Sequence, residues 1–163
     1  MNKQDLIKKT KRVVIKIGSA LLINSKTGKL QSTWLETLAF DIHNLIKSGI
    51  EVIIVSSGSI ALGKKQLNLT DNLSLDEKQA AAATGQITLA HAWKETMSKY
   101  ELNVAQILLA PDDTETRRKH LNARATLIKL LDLKVIPVIN ENDTVSTEEI
   151  RFGDNDRLAA RVA

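Results

Sequence analysis

The sequence predicts an α/β protein with a mainly parallel sheet that helices cover on both faces. Short, almost continuously apolar segments alternate with longer segments whose apolar residues recur at helical spacing. Strands of a parallel sheet are buried on both faces and therefore appear as continuous apolar runs. The length of 163 residues and the apolar content of 43% fit a single domain, residues 1–163, with its own core.

This pattern predicts strands and helices in a definite order along the chain. We expect strands at residues 12–17, 51–55, 103–109 and 135–139, and helices at residues 33–46, 59–67, 74–84, 86–99 and 119–131. Thr33 with Glu36, and Ser74 with Glu77, have the spacing of capping boxes, which start helices. Gly85 predicts a break between two helices.

The last part of the chain follows a less regular pattern. The helix at residues 119–131 is expected to bury an apolar stripe formed by Leu121, Ala125, Ile128 and Leu131. Residues 144–152 are expected to form a small hairpin or a lid. A helical pattern starts at Asp156 and reaches the last residue without a capping signal, so we expect the chain to be the first part of a longer polypeptide.

Composition argues against several classes of protein. The absence of cysteine removes disulfide frameworks and thiolate metal sites and predicts a cytoplasmic protein. No apolar run has the length of a signal peptide or the roughly 20 residues of a membrane helix. The net charge is +4, but the basic clusters are short, and 2 Trp, 1 Tyr and 2 Phe support no base-stacking platform. We therefore expect neither a membrane nor a nucleic acid as partner.

Three polar turns follow the ends of predicted strands. Gly18 and Ser19 follow the first strand, Ser57 and Gly58 follow the second, and residues 140–156 follow the fourth. The carboxyl ends of parallel strands share one edge of the sheet, where ligands of open α/β sheets bind. Because backbone N–H groups at glycine turns can hold anions, these turns predict a ligand site.

Lys16 lies in the first predicted strand, two residues before Gly18. A charged residue inside an otherwise apolar, buried strand is expected to meet an anion, because lysine is seldom fully buried without a partner. The alternative is a solvated lysine on a face of the strand. We favour an anion-binding role for Lys16.

The segment at residues 140–156 is strongly acidic. It contains six acidic residues and a single base, Arg151. Such a surface attracts a cationic group, whereas Asn155 and nearby backbone N–H groups can still bind a carboxylate. A small zwitterion is the ligand that fits both properties, and the alternative is an acidic, solvated loop without a ligand.

Other functional signatures match poorly. Residues 58–65 nearly match a Walker A loop, but Lys65 replaces the Ser or Thr that holds magnesium. Ser57 lacks the preceding glycine of a nucleophile elbow. The histidines lie in separate helical segments, and Ala159 occupies the position where a calcium loop starting at Asp154 needs glycine. We therefore assign no metal ligands, although a hydrated magnesium held partly by substrate phosphates stays open.

Several segments together resemble the glutamate 5-kinases, a branch of the amino acid kinase superfamily. They occur in order and with compatible spacing: residues 14–19 (VIKIGS), 55–60 (VSSGSI), 82–86 (AATGQ), 121–124 (LNAR), 137–143 (PVINEND) and 153–156 (GDND). The lysine-glycine turn is shared across the superfamily. The segments at residues 137–143 and 153–156 point to the glutamate 5-kinase branch.

The resemblance implies a three-layer αβα sandwich and ATP-dependent phosphorylation of the side-chain carboxylate of L-glutamate, the first step towards proline. It also implies ATP and Mg²⁺ as cofactors and feedback inhibition by proline, and we expect a homo-oligomer. On the matching positions, Lys16 is implied to contact the ATP phosphates, and Gly18 and Gly58 to donate N–H groups to the transferring phosphoryl group. The implied glutamate ligands are Ser57, Asp143 and Asn155.

This sequence departs from the family pattern at two visible positions. Ala20 stands where a second hydroxyl is frequent, and Ser59 stands where alanine is common. The family also places adenine-binding residues and a second catalytic lysine in a C-terminal half that we expect this chain to lack, so the chain alone is expected to be inactive. Two rival hypotheses stay open: another superfamily kinase acting on carbamate, acetylglutamate or a nucleotide, or an amino-acid-binding module without catalysis.

Overall fold

The structure, a computed structural model, describes residues 10–24, 26–145 and 154–163. The strands in these ranges are β1 Arg12–Ile17, β2 Glu51–Ser56, β3 Asn103–Leu109 and β4 Val135–Glu141. The helices are α1 Ser19–Leu22, α2 Ser32–Lys47, α3 Ser59–Gln66, α4 Leu75–Ser98, α5 Pro111–Glu115, α6 Arg117–Asp132 and α7 Asp154–Val162. The expected hairpin or lid at residues 144–152 lies outside the described residues except for its first two positions.

The strands form one parallel sheet in the order β1, β2, β4, β3. β1 and β2 pair along their whole length, so Lys16 lies beside Val55 and Ile17 lies beside Ser56. β4 then lies between β2 and β3, although β3 precedes β4 in the sequence. The carboxyl ends of β1, β2 and β4 are therefore neighbours at one edge, as parallel pairing requires.

Helices cover the two faces of this sheet, and each face has its own apolar cluster. Successive side chains of β2 alternate between them, since Val52 and Ile54 belong to one cluster and Ile53 and Val55 to the other. The first cluster is completed by helices α2, α3 and α4, through Leu35, Leu62, Leu89 and Trp93. The second is completed by α6 and α7, through Leu127, Leu131 and Leu158. The prediction of an α/β protein with a parallel sheet covered on both faces is confirmed.

Helices α3 and α4 cross in close backbone contact at two glycines. A Cβ atom on Gly63 would lie 1.8 Å from the carbonyl oxygen of Ala81, and one on Gly85 would lie 1.8 Å from the carbonyl oxygen of Ser59. The predicted helix break at Gly85 is therefore wrong, because α4 runs without interruption over 24 residues and its glycine serves this crossing. Within the described ranges, neither α4 nor any other helix has the length and apolarity needed to cross a membrane.

Of the two predicted capping boxes, only that of Ser74 and Glu77 forms. The Ser74 backbone N–H donates to Glu77 Oε2 at 2.8 Å, and the Glu77 N–H donates to Ser74 Oγ at 3.4 Å. The box predicted at Thr33 is wrong, because the N-cap of α2 is Gln31, two residues before Thr33, and its side chain makes no capping hydrogen bond. Gln31 instead donates to the carbonyls of Ala20 and Leu21 at 3.2 Å, so a tertiary contact sets this helix start.

The apolar stripe predicted for α6 is largely on the wrong face. Leu121 and Ile128 are 49% and 37% exposed, whereas Leu127 and Leu131 are buried. Ala123 packs beside them, and the spacing of these three residues is also helical. The helix offers two apolar stripes, and packing against β4 selects the one that faces the sheet.

Candidate functional site

The carboxyl ends of β1, β2 and β4 open into a cavity of about 430 Å³. Its lining includes every residue to which the sequence analysis assigned a role: Lys16, Gly18, Ser57, Gly58, Asp143 and Asn155. These residues come from separate parts of the chain: the ends of strands, the turns that follow them and the start of α7. Parallel pairing of the three strands brings them together. The predicted clustering at this edge of the sheet is observed.

Lys16 is placed differently from the sequence-based expectation. It lies one residue before the end of β1, and its side chain is 33% exposed rather than buried. Its Nζ atom lies 2.7 Å from Asp156 Oδ1, a carboxylate at the start of α7. The lysine does meet an anion, but the argument from burial was wrong, and Asp156 was not singled out as its partner.

Gly58 and Gly18 both precede helices at the cavity, but only Gly58 has a backbone that requires glycine. Its φ of 116° lies in the left-handed region, and a Cβ atom there would lie 2.9 Å from Ile23 Cδ1. Gly18 has an ordinary φ of −76°, and a Cβ atom would meet Lys16 Nζ at 3.7 Å. Gly58 caps the 8-residue helix α3, whose first N–H groups lack intrahelical partners and can bind an anion.

A hydrogen-bonded amide network forms the wall of the cavity beside β2 and β4. Asn155 Nδ2 donates to Ser57 Oγ at 3.0 Å and to Asn140 Oδ1 at 3.2 Å. Asn140 Nδ2 donates to Gln86 Oε1 at 2.8 Å and to Ser59 Oγ at 3.2 Å. Ser59 Oγ in turn lies 3.4 Å from Asp143 Oδ2, so the network joins the expected glutamate ligands through Asn140.

Asn140 and Ser59 are buried at 2% exposure each. Asn140 was expected just beyond the fourth strand, but it belongs to β4, which extends to Glu141. Asn140 was included in the segment predicted to form the site, at residues 140–156, but no individual role was assigned to it, to Ser59 or to Gln86. The sequence carried a signal for Asn140, which directly follows the apolar run at residues 135–139. A polar side chain at the end of a buried strand must find hydrogen-bond partners.

The cavity also carries charges of both signs. Lys64 and Lys78 line it together with Asp71, Glu141 and Asp143. Lys64 is ion-paired with Asp71, and its hydrogen bond holds the pKa of the Asp71 carboxyl below its usual value. In the part of the chain that the structure describes, no three His, Cys, Asp or Glu side chains are grouped as they would be around a metal ion. A cavity lined by positively and negatively charged side chains suits a zwitterionic ligand better than a purely anionic one.

Comparison with known proteins places the chain in a family. The model of the amino acid kinase family matches residues 11–163. The chain is 60% identical over 153 residues to the glutamate 5-kinase of Paramagnetospirillum magneticum and 61% identical over 151 residues to that of Rhodospirillum rubrum. These matches cover 94% and 92% of this chain but 41% and 40% of the relatives. The chain therefore spans well under half the length of these curated relatives.

Solved structures agree on the fold at low sequence identity. The UMP kinase of Bacillus anthracis superposes with a TM-score of 0.58 at 18% identity, covering 93% of this chain and 61% of that one. The isopentenyl phosphate kinase of T. acidophilum superposes with a TM-score of 0.53 at 12% identity, covering 80% of this chain and 54% of that one. The agreement in fold and the family match along almost the whole sequence lead to one conclusion: the chain belongs to the amino acid kinase family.

Proposed function

We propose that the protein catalyses ATP-dependent phosphorylation of the side-chain carboxylate of L-glutamate to glutamyl 5-phosphate, the first step of proline biosynthesis. The carrying observation is the single cavity that combines Lys16 and two glycine turns with the network of Ser57, Asp143 and Asn155. The curated relatives named glutamate 5-kinase support the choice of substrate.

The glycine turns and Lys16 form the phosphate end of the proposed site. In-line transfer forms a bond between a glutamate carboxylate oxygen and the γ-phosphorus of ATP, while the bond from that phosphorus to the bridging oxygen of ADP breaks. The carboxylate is already a nucleophile, so no proton has to be removed. Lys16 Nζ and the N–H groups at Gly18 and Gly58 would stabilise charge on the phosphoryl oxygens.

The amide network forms the amino-acid end. Asp143 would bind the α-ammonium group, and Ser57 and Asn155 would also hydrogen-bond to glutamate. Asp156 holds the Lys16 ammonium group at 2.7 Å and would keep it near the reacting oxygens. Mg²⁺ would be held mainly by the nucleotide phosphates, as this ion commonly is, and would neutralise part of their charge.

The proposal extends to the parts of the activity that lie beyond this cavity. The 163 residues would supply the glutamate-binding part of an amino acid kinase domain, with the adenine-binding residues elsewhere in the protein, as the 41% coverage of the relatives suggests. Proline would inhibit by binding at or near the glutamate site, and the protein would form a homo-oligomer. Competition between proline and glutamate in calorimetry and a mass from light scattering test these two points.

A phosphate-acceptor assay tests the proposal. The protein, purified from its complete reading frame, is incubated with ATP, Mg²⁺ and hydroxylamine, which traps an acyl phosphate as a hydroxamate. Glutamate-dependent ADP release with matching hydroxamate is the expected result. Turnover with carbamate, acetylglutamate or UMP instead of glutamate would assign a different kinase activity. Glutamate binding in calorimetry without ATP turnover would instead identify the protein as an amino-acid-binding module without catalysis.

A further inference from the structure

The direction of the hydrogen bonds in the amide network follows from its contact with the Asp143 carboxylate. An ionised carboxylate only accepts hydrogen bonds, so Ser59 must donate its hydroxyl hydrogen to Asp143. Ser59 Oγ therefore accepts from Asn140 Nδ2, and Gln86 Oε1 accepts the second hydrogen of the same amide at 2.8 Å. Both hydrogens of the Asn140 side chain are thereby used.

The orientation of Asn140 determines that of Asn155. With its amide nitrogen directed at Gln86 and Ser59, Asn140 presents its carbonyl oxygen to Asn155 Nδ2 at 3.2 Å. Asn155 gives its other amide hydrogen to Ser57 Oγ, which leaves Asn155 Oδ1 as an acceptor. That oxygen is buried and has no hydrogen-bond donor among the described residues. An unpaired buried acceptor is costly, so a donor from a ligand is the expected partner.

Gln86 and Ser59 occupy these positions because of the helix crossing. Gly85, next to Gln86, approaches the Ser59 carbonyl so closely that a Cβ atom would lie 1.8 Å from it. The crossing thus fixes both acceptors relative to Asn140. Gln86 lies outside the lining of the main cavity and borders a second one of about 240 Å³, which shares Ser59 and Asp143 with the first. Its hydrogen bond with Asn140 connects it to the lining of the main cavity.

We propose that Gln86 and Ser59 are positioning residues which, by accepting both amide hydrogens of Asn140, set the polarity of the network so that it offers acceptors to the α-ammonium group of the amino-acid substrate. This inference rests on the proposed function for the identity of the substrate. The acceptors are the Asp143 carboxylate and the Asn155 carbonyl oxygen. Without the two positioning residues the Asn140 amide can reverse, and Asn155 can then reverse with it.

The test compares glutamate with glutarate, which has both carboxylates and lacks the ammonium group. The variants are Gln86→Leu, which removes the acceptor, Gln86→Glu, which keeps an acceptor, and Ser59→Ala. Gln66→Leu is the matched control, because Gln66 also uses its amide in a hydrogen bond, to Thr88 on the neighbouring helix, and does not line the cavity. Ser98→Ala is the control for Ser59, since Ser98 only donates to the carbonyl of Glu95 on the surface.

Glutamate KM and the inhibition constant of glutarate are measured for each variant, together with kcat. Gln86→Leu is expected to raise the glutamate KM about tenfold, the size of one lost hydrogen bond to a charged group, with the glutarate constant changed less than about threefold. Ser59→Ala should act in the same direction. For Gln86→Glu and for both controls, the glutamate KM and the glutarate inhibition constant should stay within about threefold of the wild-type values.

Two results would overturn the inference. One is an equal change for glutamate and glutarate in Gln86→Leu and Ser59→Ala, which indicates general damage. The other is a loss in Gln86→Glu as large as in Gln86→Leu. If the wild-type protein phosphorylates no glutamate, the proposed function fails, and calorimetric affinities for glutamate and glutarate in the same variants still decide whether the network recognises the ammonium group.

Discussion

The two ends of the cavity are built by different physical means. At the amino-acid end, Asn140 and Ser59 are buried; Asn140 donates to Ser59 at 3.2 Å, and Ser59 Oγ lies 3.4 Å from Asp143 Oδ2. At the phosphate end, Lys16 is partly exposed, and its partner Asp156 has a side chain that is 62% exposed. Packing therefore fixes the geometry of the amino-acid end. At the phosphate end, the long side chain of Lys16 is held only by an ion pair that solvent screens.

This difference suits the two tasks proposed for the ends. Recognition of a small zwitterion needs donors and acceptors at fixed positions, because an unpaired buried polar group is penalised by about 1–3 kcal/mol. A phosphoryl group that moves between two oxygens needs a charge that can follow it, and the long side chain of lysine provides this. Variants at the two ends should therefore change different measured quantities.

The largest expected effect comes from the helix crossing beneath the amino-acid end. Gly85→Ala should lower the free energy of unfolding by about 3 kcal/mol or more, because its Cβ atom would collide with backbone rather than with a movable side chain. Urea denaturation measures the change. Gly49→Ala is the control, since Gly49 has φ 82° and open space, and strain alone costs about 1–2 kcal/mol. Equal losses in the two variants would contradict the role of the crossing.

The next effect concerns the phosphate end. Lys16→Met should lower kcat about a hundredfold or more, because it removes a charge that stabilises the transferring phosphoryl group, while the glutamate KM stays nearly constant. Steady-state kinetics on the protein from its complete reading frame provides both constants. Lys78→Met is the comparison, as Lys78 lines the same cavity without a proposed role in transfer. A kcat near that of wild type would remove Lys16 from the mechanism.

At the amino-acid end the dominant change should be in KM. Asp143→Ala removes the proposed partner of the ammonium group, which does not react, and should raise the glutamate KM by about ten- to a hundredfold with a smaller change in kcat. Initial rates over a range of glutamate concentrations measure it. If the KM for ATP rises and the KM for glutamate does not, Asp143 belongs to the nucleotide end of the site, and the assignment of the two ends is reversed.

The smallest effect is expected for stability at the phosphate end. Asp156→Asn breaks the ion pair with Lys16 and should change the free energy of unfolding by no more than about 1 kcal/mol, as is usual for exposed pairs. Thermal unfolding at neutral pH measures it, and a loss of several kcal/mol would show that this end is as rigid as the other. Asp112→Asn, at an exposed pair with Lys119 in which neither residue lines the cavity, is the control.

Thermal unfolding is measured at neutral pH because of the titration of Asp112 in the control pair with Lys119. Hydrogen bonds from Lys119 and Thr116 hold the pKa of the Asp112 carboxyl below its usual value. A lowered pKa in the folded protein means that the contribution to stability is present above the usual aspartate pKa and is lost as the pH falls through the lowered one. Neutral pH therefore keeps the contribution of the control pair complete.

The sequence by itself determined the strand order along the chain and the residues that meet at one edge of the sheet. Continuous apolar runs predicted a parallel sheet, and a parallel sheet places the turns after its strands at the same edge. Lys16, Ser57, Asp143 and Asn155 could therefore be grouped without knowledge of any contact. Local capping chemistry was visible at Ser74, but the same spacing at Thr33 formed no capping box.

The tertiary structure alone decided which side chains are joined, because those contacts link residues far apart in the chain. Asn140 and Ser59 are 81 positions apart, and Ser59 and Asp143 are 84. Gly85 suggested a helix break until the backbone of a second helix was placed against it, and α6 had two apolar stripes until the sheet selected one. Sequence periodicity describes one segment at a time, whereas burial and hydrogen bonding depend on what a neighbouring segment supplies.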